Sequence, residues 1–275
     1  MNRPATASLY IIFLCLSFTA FPQTDNSAMG ARSAGIGNAS VTITDSWAFF
    51  NNISGTSELK NMQASCTFQN RFGIKVLNTG AAVFIYPIKF GVSSLGLSKF
   101  GDSHYSVQKV SAGFGHKIGH VSLGIKADYL QVAIEELNTR RAFLLEFGGI
   151  SEITKQLVFG AHVYNINQAS LIGGSKKEAV PVVMKAGLSY RPTKKLMLNV
   201  ETQKDLNHKP SFKTGVEYFV VEKFCLRTGI STQSFMNFFG IGFNNQSLRI
   251  DYAFSSYAQL GISNELSLSY KLRKK

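Results

Sequence analysis

From about residue 62 to the end of the chain, apolar and polar residues alternate with a period of two, segment after segment. Val182, Met184, Ala186, Leu188 and Tyr190 fall on one face of such a segment, and Lys185, Gly187, Ser189 and Arg191 on the other. Leu248, Ile250, Tyr252 and Phe254 likewise oppose Arg249, Asp251 and Ser255. Leu266, Leu268, Tyr270 and Leu272 oppose Ser267, Ser269 and Lys271. Successive side chains of a strand point to opposite sides, so the repeat builds one apolar wall and one polar wall. Gly, Asn, Lys and Pro turns divide it into about 14 segments, at 62–72, 75–86, 88–99, 104–116, 119–134, 139–152, 155–168, 179–191, 194–205, 210–221, 222–232, 235–245, 246–256 and 261–273. Each approaches or exceeds the ~9–11 residues of a tilted membrane-spanning strand.

Two architectures use such walls. In a soluble sandwich the apolar wall is the core; in a membrane barrel it faces lipid and the polar wall lines the lumen. Composition favours the barrel. Charged residues make up only 16%, against about 25% in soluble domains, and 24 Gly accompany 22 Phe and 10 Tyr. An even strand number returns the chain to the side where it began, and turns alternate between short and longer. Tyr86 to Ile88, Lys117 to Gly119, Arg191 to Lys195, Val221 to Lys223 and Asn244 to Gln246 are short; Glu135 to Thr139, Asn167 to Ala179 and Asp205 to Pro210 are longer. Phe235, Phe238, Phe239, Phe243, Tyr252, Phe254, Tyr257 and Tyr270 suit the aromatic girdles of the lipid-facing wall. The net charge of +13 is scattered singly along strands and turns, which argues against a nucleic-acid groove and for lipid headgroups or a polar lumen.

Ahead of the repeat lie two other segments. Residues 1–23 read as a signal peptide: Arg3 gives a positive start and Ala7 to Phe21 an apolar run, too short for a membrane span. Residues 24–60 form a Gly- and Ala-rich head containing Trp47, the only tryptophan. Residues 61–275 are the barrel. The fold class expected is therefore all-β: an antiparallel transmembrane barrel of about 14 strands, with an N-terminal hatch or plug, in the cell outer membrane of a Gram-negative bacterium.

The head contains Gly30-Ala31-Arg32-Ser33-Ala34-Gly35-Ile36-Gly37-Asn38-Ala39-Ser40-Val41, then Asp45-Ser46-Trp47-Ala48 and Asn51-Asn52. Near the end stand Asp251-Tyr252-Ala253-Phe254, Leu260-Gly261 and Leu266-Ser267-Leu268. This combination resembles the PorV/PorQ-type, FadL-like outer-membrane proteins of Bacteroidetes, over nearly all of the mature chain. The resemblance implies a 14-stranded barrel whose N-terminal segment folds inward. It implies either an accessory or scaffold role in type IX secretion or envelope assembly, or transport of small hydrophobic compounds. Here Asn52-Ile53-Ser54 stands where the family has Asn-Pro-Ala.

Candidate functional residues follow from these placements. In the hatch, Trp47, Phe49 and Phe50 are packing anchors, Arg32 and Asp45 are placed to meet luminal charges, and Asn51 and Asn52 form the polar turn. The polar wall collects Lys126, Asp128, Glu146, Lys185, Glu201, Lys213, Glu217, Arg227, Arg249 and Asp251. Both signs occur on neighbouring segments, which suits an ion-pair network holding the hatch, or a polar permeation path. One segment breaks phase: Phe90 and Val92 share a face, but Leu95 and Leu97 fall on the other. A β-bulge at Ser93–Ser94, between Gly91 and Gly96, would restore the phase. It would also mark a lateral opening for a hydrophobic ligand.

His104, His116, His120, His162 and His208 lack metal spacing, and no Gly-x-Ser-x-Gly elbow occurs. The reading is non-enzymatic, without cofactor or metal. The expected partners are outer-membrane lipids, secretion or envelope proteins and a small hydrophobic ligand, with no nucleic acid. Cys66 and Cys225 lie in separate segments, as free thiols or as a bridge.

Overall fold

The structure is a computed structural model that describes residues 28–173, 177–232, 236–257 and 260–272. The signal-peptide segment 1–23 and the first residues of the head lie outside the described residues. Among the described residues the sequence repeat becomes sixteen strands, fourteen of which close one antiparallel barrel. They are β1 (Gln63–Asn70), β2 (Thr79–Ile88), β3 (Gly91–Gly101), β4 (Tyr105–Ile118), β5 (Val121–Ile134), β6 (Arg140–Glu152) and β7 (Leu157–Tyr164), then β10 (Val183–Tyr190), β11 (Leu196–Asp205), β12 (Ser211–Val221), β13 (Phe224–Ser231), β14 (Met236–Asn244), β15 (Leu248–Tyr257) and β16 (Gly261–Lys271). Between β7 and β10, the short β8 (Ser170–Leu171) and β9 (Glu178–Ala179) pair with each other inside a loop.

Closure is made by β1 on β16, with Gln63 opposite Lys271 and Asn70 opposite Asn264. Both chain ends of the barrel therefore lie at one rim. The short turns reverse the chain at that same rim, here called the turn end; the longer loops lie at the far end. Short turns on the periplasmic side are the outer-membrane pattern.

The period of two is realised as burial. On β5 the pattern runs exposed, buried, exposed, buried from Val121 onward. Val110, Ile125, Phe143 and Ile230 are more than half exposed on the outer wall, while Lys126, Asp128, Glu146 and Glu217 are buried on the inner one. An outside so apolar and an inside so charged is stable only with lipid around it. No helix among the described residues is long and apolar enough to cross a membrane; the strands do so.

Two expectations need correcting. First, β3 has no bulge at Ser93–Ser94. It pairs in unbroken register with β2, from Gly101's neighbour Phe100 opposite Thr79 to Gly91 opposite Ile88, and with β4, from Val92 opposite Gly115 to Gly101 opposite Ser106. The phase break has another cause. Val92 points inward, into an apolar cluster, while Leu95 and Leu97 point to lipid. Second, Phe238 is buried on the inner wall and does not belong to the outer aromatic set; Phe235 lies outside the described residues. Cys66 is exposed and Cys225 buried, on opposite faces of the wall, and both are free thiols, the first of the two alternatives.

Residues 28–59 run through the barrel interior. Two short helices, α1 (Ala31–Gly35) and α2 (Ala48–Asn51), and a 3-10 turn at Ile53–Glu58 pack against inner faces on opposite sides. The α1 helix touches β13 to β16, and the 3-10 turn touches β3 to β6. Wall glycines permit this approach. At Gly215 and Gly229, an added Cβ would strike the backbone of Ile36 and Gly37. Gly37 itself adopts φ 68°, a left-handed conformation that glycine takes without steric penalty.

Candidate functional site

Among the described residues, three kinds of surface line the lumen. At the far end, the inner faces of β4, β5, β6, β7 and β10 carry Val107, Leu130, Val132, Leu144, Tyr164 and Val183. Leu171 and Val180, from the loop that contains β8 and β9, are buried against them. Arg140 holds that loop through Glu178, and Asn165 Nδ2 donates to the Val180 carbonyl at 2.8 Å. A second apolar cluster gathers Val83, Ile85 and Val92 of the wall around Met29, Trp47, Phe49, Phe50 and Ile53. Phe49 meets Phe50 edge-on at 4.9 Å, and Trp47 stacks on Phe50 at 6.3 Å. A uniformly polar inner wall was the expectation from alternation; both apolar patches escaped it. Each faces another part of the chain rather than water, so strands such as β2 are apolar on both faces.

The charged residues form the third surface, in three groups. In the first, Lys126 Nζ lies 3.0 Å from Glu146 and 3.7 Å from Asp128, and His162 Nε2 lies 3.0 Å from the same Glu146. The Lys126 ammonium also stands over the Phe49 and Phe50 rings, at 5.2 and 5.6 Å. In the second, Lys213 Nζ donates to Glu201 at 3.0 Å and to Gln203 at 2.7 Å. Glu201 in turn accepts the backbone N–H groups of Ser40 and Val41, both at 2.8 Å.

The third group is the largest. Arg227 Nε donates to Glu217 at 2.6 Å and its Nη2 lies 2.9 Å from Asp251. Arg249 reaches Asp251 at 2.7 Å. Arg32 joins from the inner segment, bound to Glu217 and, at 3.2 Å, to Asp45. Burial pulls the Arg32 guanidinium toward neutrality, but the Glu217 and Asp45 charges overcome that and raise its pKa, so it stays a cation. Asp45 also accepts the N–H groups that open α2, from Trp47 at 2.9 Å and Ala48 at 3.2 Å. Lys185 is buried on the same wall but makes no ion pair among the described residues.

Backbone groups of the inner segment are also satisfied by the wall. Gly30 N–H donates to Glu265 at 2.7 Å and Ala31 N–H to Ser267 at 2.7 Å. Glu265 was not singled out from sequence; it alternates correctly on β16, but nothing marks it as the partner of a helix start. Asn51 bridges Met29 and Ser33, and Asn52 Nδ2 donates to the Val41 carbonyl at 2.6 Å while its Oδ1 accepts from Ser54 N–H. That side-chain turn at Asn52-Ile53-Ser54 fixes the backbone without a proline.

Ser93, Ser94, Gly91 and Gly96 sit in the closed wall. At Gly96 the wall is thin. An added Cβ would clash with the Phe49 ring inside. Outside, Ala82, Leu95, Gly96, Leu97 and Val110 line an apolar groove of about 740 Å³. At the turn end a polar vestibule of about 520 Å³ opens beside Arg32, Arg191 and Glu217. No group of three or more potential metal ligands occurs among the described residues.

By sequence, no family model matches this chain, and no curated protein matches it. By structure it is similar to several outer-membrane channels. The toluene transporter TbuX of Ralstonia pickettii superposes with a TM-score of 0.70 at 10% identity, over 90% of this chain and all (100%) of that one. The monoaromatic hydrocarbon channel CymD gives 0.66 at 9% identity, over 91% and 99%. A FadL homologue of Pseudomonas aeruginosa gives 0.61 at 12% identity, over 92% and 99%. Identities this low establish shared fold. The chain is a closed, 14-stranded antiparallel barrel with the fold of these outer-membrane channels.

Proposed function

We propose that this protein is a non-enzymatic channel that carries small hydrophobic compounds across the outer membrane, seen here with its lumen closed. The observation that carries the reading is the apolar lining at the far end, where Val107, Leu130, Val132, Leu144 and Tyr164 face inward beneath a folded loop. A water-filled pore has no use for that surface, whereas an apolar solute displacing Leu171 and Val180 would find a matched site. The likeness to hydrocarbon transporters over their full length supports the same reading.

Beyond that site, the buried Lys126–Glu146–His162 group opposes straight passage, because an apolar solute cannot replace the partners of buried charges. The exit that avoids it is sideways. Phe49 and the outer groove are separated only by the wall at Gly96, so a lateral path through β2 and β3 joins one apolar surface to another. In the closed state, pairing through Ser93 and Ser94 is continuous, and this route requires β2 and β3 to part.

A cross-strand lock tests this. Ala81 and Ser98 are directly paired on β2 and β3, and both point inward. Oxidised Ala81→Cys/Ser98→Cys is expected to abolish cellular uptake of labelled toluene, with recovery on reduction. Ser189→Cys/Asn199→Cys, which ties β10 to β11, should leave uptake unchanged. Uptake no greater than in cells lacking the protein would overturn the transport reading.

A second reading is supported by the filled lumen itself: an accessory or scaffold barrel of the PorV/PorQ type, of Bacteroidetes origin, acting in type IX secretion or envelope assembly with protein partners. In it, the inner segment 24–60 is a permanent plug following a removed signal peptide, and the ion pairs are purely structural. Failure of uptake, together with recovery of a protein partner on affinity capture from membranes, would favour it.

A further inference from the structure

The turn-end vestibule contains more positive charge than its own carboxylates use. Arg32, Lys155, Arg191, Lys194 and Lys195 line it. A smaller cavity of about 220 Å³ adjoins it and shares Thr44, Lys155 and Arg191. The carboxylates that border the two cavities are already engaged. Glu217 is held by Arg32 and Arg227, and Glu58 and Glu152 both accept from Lys117. Among the described residues, Arg191, Lys155, Lys194 and Lys195 make no ion pair.

Arg191 is the unusual one. Its Nε is buried and has no hydrogen-bond partner, a costly condition for a charged donor. The second guanidinium, of Arg32, lines the same vestibule. Burial and then the Arg32 charge depress the Arg191 pKa from its ordinary value, and Glu58, Glu217 and Glu152 only partly offset them. The surrounding turns are held rigidly. Arg191 N–H donates to the Gln156 carbonyl at 2.8 Å, and Phe219 N–H to that of Lys195 at 2.8 Å. The hydroxyl of Thr193 accepts from the N–H groups of Lys195 and Leu196, both at 3.2 Å.

We propose that this vestibule is a binding site for a small organic oxyanion, whose phosphate or carboxylate head sits at Arg191 beside Arg32 and Lys155. A guanidinium presents a planar fork of donors that matches two oxygens at once. The anion would satisfy the orphaned Nε and offset the charge of Arg191, which has no ion pair among the described residues. The vestibule is larger than a bare inorganic ion needs, and Leu196, Met197 and Phe219 are also among its lining residues. That surface accommodates the apolar body of the ligand. The site is independent of whether the barrel conducts, since it lies at the rim and uses no opening of the wall.

The test is calorimetric titration of the full protein in non-ionic detergent with benzoate, with glycerol phosphate and with inorganic phosphate. Benzoate stands for a free carboxylate solute and glycerol phosphate for a lipid headgroup. Saturable binding of benzoate or glycerol phosphate, weakened by salt, is expected, and the tighter of the two identifies the source. Arg191→Gln should weaken it about tenfold or more, Arg191→Lys less so because a point charge replaces the fork, and Lys89→Gln, in the β2–β3 turn on the opposite side of the barrel, not at all. Heat-modifiable migration confirms that each variant is folded, and Lys155→Gln gives a second readout should Arg191→Gln fail to fold. Absence of saturable binding, or equal weakening by Lys89→Gln, would overturn the proposal.

Discussion

Arg32 grips Glu217 with two donors, Nε at 2.9 Å and Nη2 at 2.5 Å, and so ties the inner segment to strand β12 across 185 residues of chain. Glu217 simultaneously accepts from Arg227. One carboxylate therefore balances two guanidiniums in a nearly dry place. Replacing it by Gln leaves both cations with Asp45 and Asp251 alone. Removing one partner of a buried pair typically costs about 3–5 kcal/mol. Glu217→Gln is expected to lower the thermal transition of the detergent-solubilised barrel markedly. Asp205→Asn, which breaks a pair with the exposed His208, should cost no more than about 1 kcal/mol. Equal effects would show that Arg32 is held by something else.

The wall glycines make a second, steric prediction. At Gly215 a side chain would meet the carbonyl of Ile36, backbone that cannot swing aside. Overpacking of this kind costs about 1–3 kcal/mol, occasionally more, and here it bears on seating of the inner segment rather than on the barrel. Gly215→Val should leave heat-modifiable migration intact while exposing residues 28–59 to protease. Gly149→Ala is the control, since its Cβ would find only ordinary contacts, at 3.7 Å and beyond. Cleavage in both variants, or in neither, would contradict the packing described.

These residues also show what a period of two can and cannot tell. The number of strands, the sided turns and the inward charges were legible because lipid imposes one rule on the whole outer wall. Glu217 and Arg227 alternate correctly, and their pairing follows from adjacent strands. Val92 was misplaced because alternation assumes a polar interior, and at that point the interior is Phe50 and Ile85. The apolar far-end lining was missed for the same reason: Leu144 and Leu145 are equally apolar, and only the inward fold of the loop distinguishes them. Arg32 and Asp45 were identifiable as charges in an otherwise small, apolar head. Which wall residue each would meet depends on the path of that head through the barrel, which no local pattern encodes.

Leu144 and its neighbour Phe143 provide a direct test of that assignment. Leu144 is fully buried in the far-end cluster, whereas Phe143 is 57% exposed on the outer wall. Leu144→Ala should cost about 2–5 kcal/mol, as core truncations do. Phe143→Ala removes a larger side chain yet should cost less, because lipid fills the space it leaves. Paired denaturation of the two variants in the same detergent decides between them; a larger loss for Phe143→Ala would place the apolar core on the wrong side of the wall.

Trp47 is the only tryptophan in the chain, and its position discriminates between an interior segment and an ordinary girdle aromatic. Tryptophans of outer-membrane barrels usually sit at the lipid interface. Trp47 is 1% exposed, stacked on Phe50, with an indole N–H that has no hydrogen-bond partner. In bilayers its emission should be blue-shifted and resist both acrylamide, which samples water, and nitroxide-labelled lipid, which samples the outer wall. A girdle residue would be quenched by the nitroxide. Loosening the Arg32 clamp supplies the complementary arm: in Glu217→Gln, acrylamide quenching should rise while nitroxide quenching stays low, because the segment is released into the lumen and not into lipid. Strong nitroxide quenching of the unaltered protein would put Trp47 outside the barrel and remove the inner segment from any role in closing it.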